Sequence, residues 1–121
     1  MAKVDFKPVL LIEFDGSIYD YDKYGWGNGV DLEGKPVEGV VNGINKLKEH
    51  YQIYVTTNRV SLPKGHEEVE KWLQENNVYY DRVVISNPVS YYININPKAK
   101  RPPKRWRDDF VEELIEMKPI K

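Results

Sequence analysis

The sequence contains no cysteine. That excludes disulfides, thiolate metal sites and cysteine nucleophiles together, and it fits a cytoplasmic setting. Histidine is almost as scarce. His50 and His66 read as lying at a helix end and just before a helix, without partners at metal-ligand spacing, so both read as surface residues. No apolar run approaches the roughly eighteen residues a membrane-spanning helix needs. The start shows no secretory-leader pattern, and no membrane association is expected. An excess of one charge is missing too. The 18 basic and 19 acidic residues leave a net charge of −1, which excludes a general affinity of the whole molecule for polyanions.

What remains is a globular balance: 121 residues, 40% hydrophobic and 31% charged. This predicts one domain over 1–121 with a sizeable core. Its organising stretch is Val9-Leu10-Leu11-Ile12-Glu13-Phe14-Asp15-Gly16-Ser17. Four apolar residues in a row, then carboxylates flanking a phenylalanine, then a Gly-Ser turn, read as a parallel strand buried on both faces. Ligands of open α/β sheets bind beyond the carboxyl ends of the strands, which places Glu13 and Asp15 at a candidate site.

Residues 16–36 are dense in Gly, Tyr and Asp and hold no period for long. Such a loop reads either as a flap over a ligand or as a surface hairpin whose tyrosines pack on the sheet. Pro36 reads as the opening of a helix that runs to about His50, with Val37, Val40, Val41, Ile44 and Leu47 on its apolar face. Residues 52–57 read as a second strand. A helix over 67–76 follows, with Val69, Trp72 and Leu73 as its stripe, and Asn76-Asn77 ends it. Strands are expected over 82–86 and 91–95, and a last helix over 106–117 with Trp106, Phe110, Val111, Leu114 and Met117 on one side. Alternating strands and helices predict right-handed crossovers and an α/β fold with a mostly parallel sheet of about four strands. The strand ends would then gather Glu13 and Asp15, Thr56, Thr57 and Arg59, Ser86 and Asn87, and Asn94 and Asn96. Acids, hydroxyls and amides in one place suit a hydrated cation with a phosphate or carboxylate.

The segment Leu11-Ile12-Glu13-Phe14-Asp15-Gly16-Ser17 resembles the first motif of the haloacid dehalogenase (HAD) superfamily, an apolar strand followed by Asp-x-Asp-Gly-Thr. Thr57-Asn58-Arg59 resembles the second motif. The run from Trp72-Leu73 through Ile85-Ser86-Asn87-Pro88 to Tyr91-Tyr92-Ile93-Asn94 is similar to the back half of small uncapped members, the capsule-biosynthesis-type phosphatases. The similarity spans roughly residues 9–117. It implies a three-layer Rossmann-like fold with helices on both faces of the sheet. It also implies a Mg2+-dependent hydrolase chemistry through an aspartyl phosphate. On that pattern Glu13, Asp15 and Thr57 take the catalytic positions. Gly16, Thr57, Asn58 and Asn87 take the phosphate-binding positions, and Glu13, Asp15 and Asn94 hold the metal.

This chain departs from the family pattern at three of those places. Glu13 stands at the nucleophile position, Asn87 where the pattern has Lys, and Asn94 and Asn96 near the acids after the fourth strand. The longer stem of Glu displaces the attacking oxygen by roughly 1 Å, and such a misplacement costs up to about 10²-fold. Losing a preorganised cation costs about 10²–10³-fold. Amides in place of acids weaken a Mg2+ site that commonly keeps only one or two carboxylates. Coupled penalties do not add, but all three point one way. The expectation is a phosphatase-like pseudoenzyme, serving to bind a protein partner or a small phosphorylated ligand. The alternative is a Mg2+-dependent phosphohydrolase with Glu13 as nucleophile and Asp15 as acid and base.

A further expectation concerns Lys98, Lys100, Arg101, Lys104, Arg105 and Arg107, six cations within residues 98–107, with Trp106 among them. The segment reads either as a nucleic-acid contact, with Trp106 stacking on a base, or as a solvated loop pairing with Asp108, Asp109, Glu112 and Glu113.

Overall fold

The computed structural model describes residues 7–85, the backbone of 93–95, residue 106 and residues 108–117. The apolar run forms β1, Val9–Glu13. Strand β2, Gln52–Thr56, pairs with it in parallel, Leu10 beside Ile53 and Glu13 beside Thr56. Strand β3, Arg82–Val84, pairs in parallel with the far side of β2. The three residues of β4, Ile93–Ile95, pair in parallel with the other side of β1. The order across the sheet is β3-β2-β1-β4.

A short helix α1, Tyr21–Tyr24, lies within the glycine-rich loop. Helix α2, Val40–Leu47, connects β1 to β2, and α3, Gly65–Glu75, connects β2 to β3. Helix α4, Asp108–Glu116, follows β4 and packs against α2. The buried positions of α2 (Val40, Ile44, Leu47), α3 (Val69, Trp72, Leu73) and α4 (Phe110, Val111, Leu114) join Leu10, Ile12, Ile53 and Val55 in one core cluster. Strand side chains alternate, so Leu10 and Ile12 share a face and Leu11 takes the other. The three long helices therefore gather on the Leu10 face.

The second helical layer implied by the family resemblance is not found among the described residues, although Leu11 is fully buried. Crossover handedness accounts for this. The steps β1 to β2 and β2 to β3 move the same way across the sheet, so right-handed connections put α2 and α3 on one face.

Two helix starts differ from the sequence reading. Pro36 does not open α2. It pairs with Tyr19 in an antiparallel bridge, and the Val37 N–H donates to the Ile18 carbonyl at 2.8 Å. The helix begins after Gly39, whose φ of 87° lies in the left-handed region that favours glycine. A Cβ there would collide with the Trp106 carbonyl oxygen. Trp106 itself precedes α4 rather than belonging to it. It is 4% exposed, and its ring packs on Gly43 and edge-on to Phe110. Its indole N–H donates to the Ser17 carbonyl at 2.8 Å, while its backbone N–H donates to the Glu38 carbonyl at 2.6 Å. These contacts tie the C-terminal segment to the turn after β1.

Candidate functional site at the strand ends

Beyond Glu13 the chain makes a tight turn over Phe14–Ile18, with Gly16 at φ 92°. Phe14 and Tyr19 stack at 5.3 Å, and both meet the edge of Trp72. This aromatic cluster fixes the direction in which Asp15 leaves the strand. Beyond β2, Thr57 accepts a hydrogen bond from the Arg59 backbone N–H at 3.1 Å and so caps one turn of 3₁₀ helix, Asn58–Ser61.

That turn delivers Arg59 to the middle of the site. Arg59 is fully buried, the largest side chain so enclosed among the described residues. A charge leaves water only when paired and hydrogen-bonded, and Arg59 meets both conditions. Its Nε donates to both carboxylate oxygens of Asp15, at 3.1 and 3.2 Å, and its Nη2 donates to Asp15 Oδ1 at 2.8 Å. This is the bidentate fork that suits guanidinium to carboxylate. Nη1 donates to the carbonyls of Trp26 at 3.1 Å and Gly29 at 2.9 Å, and Nη2 reaches the Gly25 carbonyl at 3.5 Å. All five guanidinium N–H groups thus have acceptors. The Trp26 ring lies over the guanidinium at 4.3 Å and the Tyr19 ring at 5.3 Å, each adding a cation–π contact.

The glycine-rich loop is closed at its base by the antiparallel Tyr19–Pro36 bridge, with Tyr19 packed in the core as the hairpin reading expects, and its tip is tied to Arg59 instead of standing as a free flap. Tyr19 is buried; its backbone N–H donates to the Phe14 carbonyl at 2.8 Å, while its hydroxyl accepts from the Gly34 N–H at 2.9 Å. The Trp72 indole N–H donates to the Gly34 carbonyl at 3.0 Å. Tyr21 and Trp26 stay exposed at 38% and 39%.

The candidate residues separate accordingly. Glu13 is half-buried and aligned in register with Thr56, at the edge expected of it. Asp15 is at the same edge with its carboxylate engaged by Arg59. Thr57 is buried and caps the 3₁₀ turn. The Gly16 N–H donates to the Tyr19 carbonyl at 3.0 Å, so it is not directed at a ligand. Asn58 is exposed. Asn94 pairs in register with Leu11, two positions short of Glu13, which is roughly 7 Å along the strand. Asn87, Asn96 and the cations of 98–105 and 107 lie outside the described residues.

A Mg2+ ion fits this donor set poorly. The Asp15 carboxylate already faces a guanidinium at 2.8 Å, and a second cation beside it would meet like-charge repulsion. Among the described residues, no group of three or more His, Asp or Glu side chains is placed to hold a metal. Trp106, the stacking residue in the nucleic-acid reading of the basic segment, is committed to the core and has no free face for a base.

The residue that sequence reasoning under-read is Arg59. It stands at the expected strand end, but its pairing partner is 44 positions away, and no local period marks an arginine for burial. The one available signal was the run Gly25-Trp26-Gly27-Asn28-Gly29, whose three glycines let backbone carbonyls turn towards a cation. No protein-family model, curated protein or solved structure matches this chain.

Proposed function

We propose that this chain is a HAD-like, phosphatase-fold domain whose strand-end residues serve architecture in place of phosphoryl transfer, and that it works as a binding or interaction module. The observation that carries this reading is the closure of Asp15 by Arg59. A general acid and base must reach the reacting group. Here both carboxylate oxygens point at a buried guanidinium. The departures at Glu13, Asn87 and Asn94 point the same way. The Rossmann-like arrangement of the family belongs to this proposal, as does a protein or small phosphorylated ligand as partner. Exposed Tyr21 and Trp26 beside the closed site offer the aromatic surface that interaction sites favour.

A phosphatase assay with p-nitrophenyl phosphate and millimolar Mg2+ tests the reading. No hydrolysis above buffer is expected, and Glu13→Gln should change nothing. Turnover that Glu13→Gln abolishes would instead establish the phosphohydrolase alternative.

A further inference from the structure

We propose that Asp15 and the segment 25–29 form a guanidinium receptor, filled here by Arg59, and that the segment is a strap over the strand ends with a bound and a released state. The inference rests on the geometry of the loop and stands whether or not phosphate esters are hydrolysed.

The receptor is built from backbone as much as from side chains. Gly25, Gly27 and Gly29 hold φ values of 69°, 61° and 90°, a conformation that glycine adopts without strain. With that backbone, the carbonyls of Gly25, Trp26 and Gly29 converge on one point. Asp15 supplies the counter-charge, and the rings of Trp26 and Tyr19 close over the cation. Five N–H donors meet a matched set of acceptors, an arrangement specific for a planar fork and unsuited to an ammonium ion.

The strap has a shape of its own. The Asn28 side-chain carbonyl accepts from the N–H groups of Val30 and Asp31, at 3.0 and 2.8 Å, and the Gly29 N–H donates to the Trp26 carbonyl at 3.0 Å. These local bonds need no contact with the sheet. Among the described residues, the long-range hydrogen bonds of 25–31 all end on Arg59. A segment with its own turn, an exposed tip at 26–28 and long-range hydrogen bonds to a single residue, beside a packing contact of Gly29 on Leu62, is the kind of unit that opens below the cost of global unfolding. Release would open the Arg59 guanidinium, and with it the Asp15 carboxylate, to water.

Hydrogen exchange read by mass spectrometry tests this on the wild-type chain, Arg59→Lys and Arg59→Ala. In the wild type, the peptide covering 24–31 should exchange through an opening smaller than global unfolding. Arg59→Lys keeps the charge and loses the fork. It should speed exchange in that peptide by about tenfold or more, and by a larger factor than in β1 and α2, which follow global stability. In Arg59→Ala, sub-denaturing guanidinium chloride should restore protection where sodium chloride of equal ionic strength does not. Wild-type exchange of 24–31 only through global unfolding would overturn the strap. Equal rescue by the two salts would overturn the receptor. The wild-type and Lys arms decide the strap even if Arg59→Ala does not fold.

Discussion

Asp15→Ala is expected to lower the stability of the domain by about 3–5 kcal/mol, the range seen when one partner of a buried ion pair is removed. Asp15 is 19% exposed at its side chain and Arg59 not at all, so the charge left behind has no route to water. Its Nε–H and one Nη2–H would lose their acceptors, while the three loop carbonyls would hold the guanidinium in place. A domain of this size has only about 5–15 kcal/mol in hand. The urea midpoint should therefore fall by roughly 2 M, taking an m-value near 2 kcal/mol/M. Asp15→Asn keeps one carbonyl oxygen for the fork and should fall between wild type and Asp15→Ala. Under the phosphohydrolase alternative, the same substitution would remove activity and leave stability nearly unchanged, so one unfolding curve separates the two roles of this residue.

Trp106→Ala is expected to cost a further distinct amount, about 3–5 kcal/mol for removing a buried tryptophan. The ring fills the notch above Gly43 and meets Phe110 edge-on. Its indole N–H is also the partner of the Ser17 carbonyl, and Ser17 is fully buried. Truncation would leave both a cavity and an unsatisfied acceptor. Trp106→Phe restores most of the ring volume but not the donor, and should recover all but about 1–3 kcal/mol, the penalty for a stranded buried polar group. Chemical denaturation of the two variants measures this directly. A loss below 1 kcal/mol in the alanine variant would mean that Trp106 is not the clamp between the turn after β1 and the C-terminal segment.

The elements that hydrophobic patterning exposed are those whose signal is local. The run Val9–Ile12 has no polar break, and it became the strand flanked on both sides by parallel neighbours. Val69, Trp72 and Leu73 keep helical spacing, and they are the buried face of α3. Asn77, expected to end that helix, takes a left-handed φ of 60°, a conformation asparagine tolerates better than most residues. The readings that changed depend on tertiary partners. Pro36 has the right φ to open a helix, but Tyr19 claims it for a bridge 17 positions back in the chain. Trp106 continues the apolar stripe of α4 in sequence, yet its two N–H donors bind Ser17 and Glu38 instead of entering the helix.

The candidate site shows the same division. Glu13, Asp15 and Thr57 were placed at the strand ends because strand ends are legible, and the register puts Glu13 beside Thr56. What each side chain does there was not legible. Thr57 caps a turn, and Asp15 answers a buried arginine whose position only the folded loop determines.

The most direct measurement of the central claim, that Asp15 and Arg59 act as one structural unit, is a double-mutant cycle. It compares the unfolding free energies of wild type, Asp15→Ala, Arg59→Met and the double variant. Replacing both members of a buried pair by apolar groups is far less costly than stranding one, so the double variant should recover part of the loss. A coupling of about 2–3 kcal/mol is predicted, at the upper end for contacting residues. Losses that simply add, within about 0.5 kcal/mol, would contradict it.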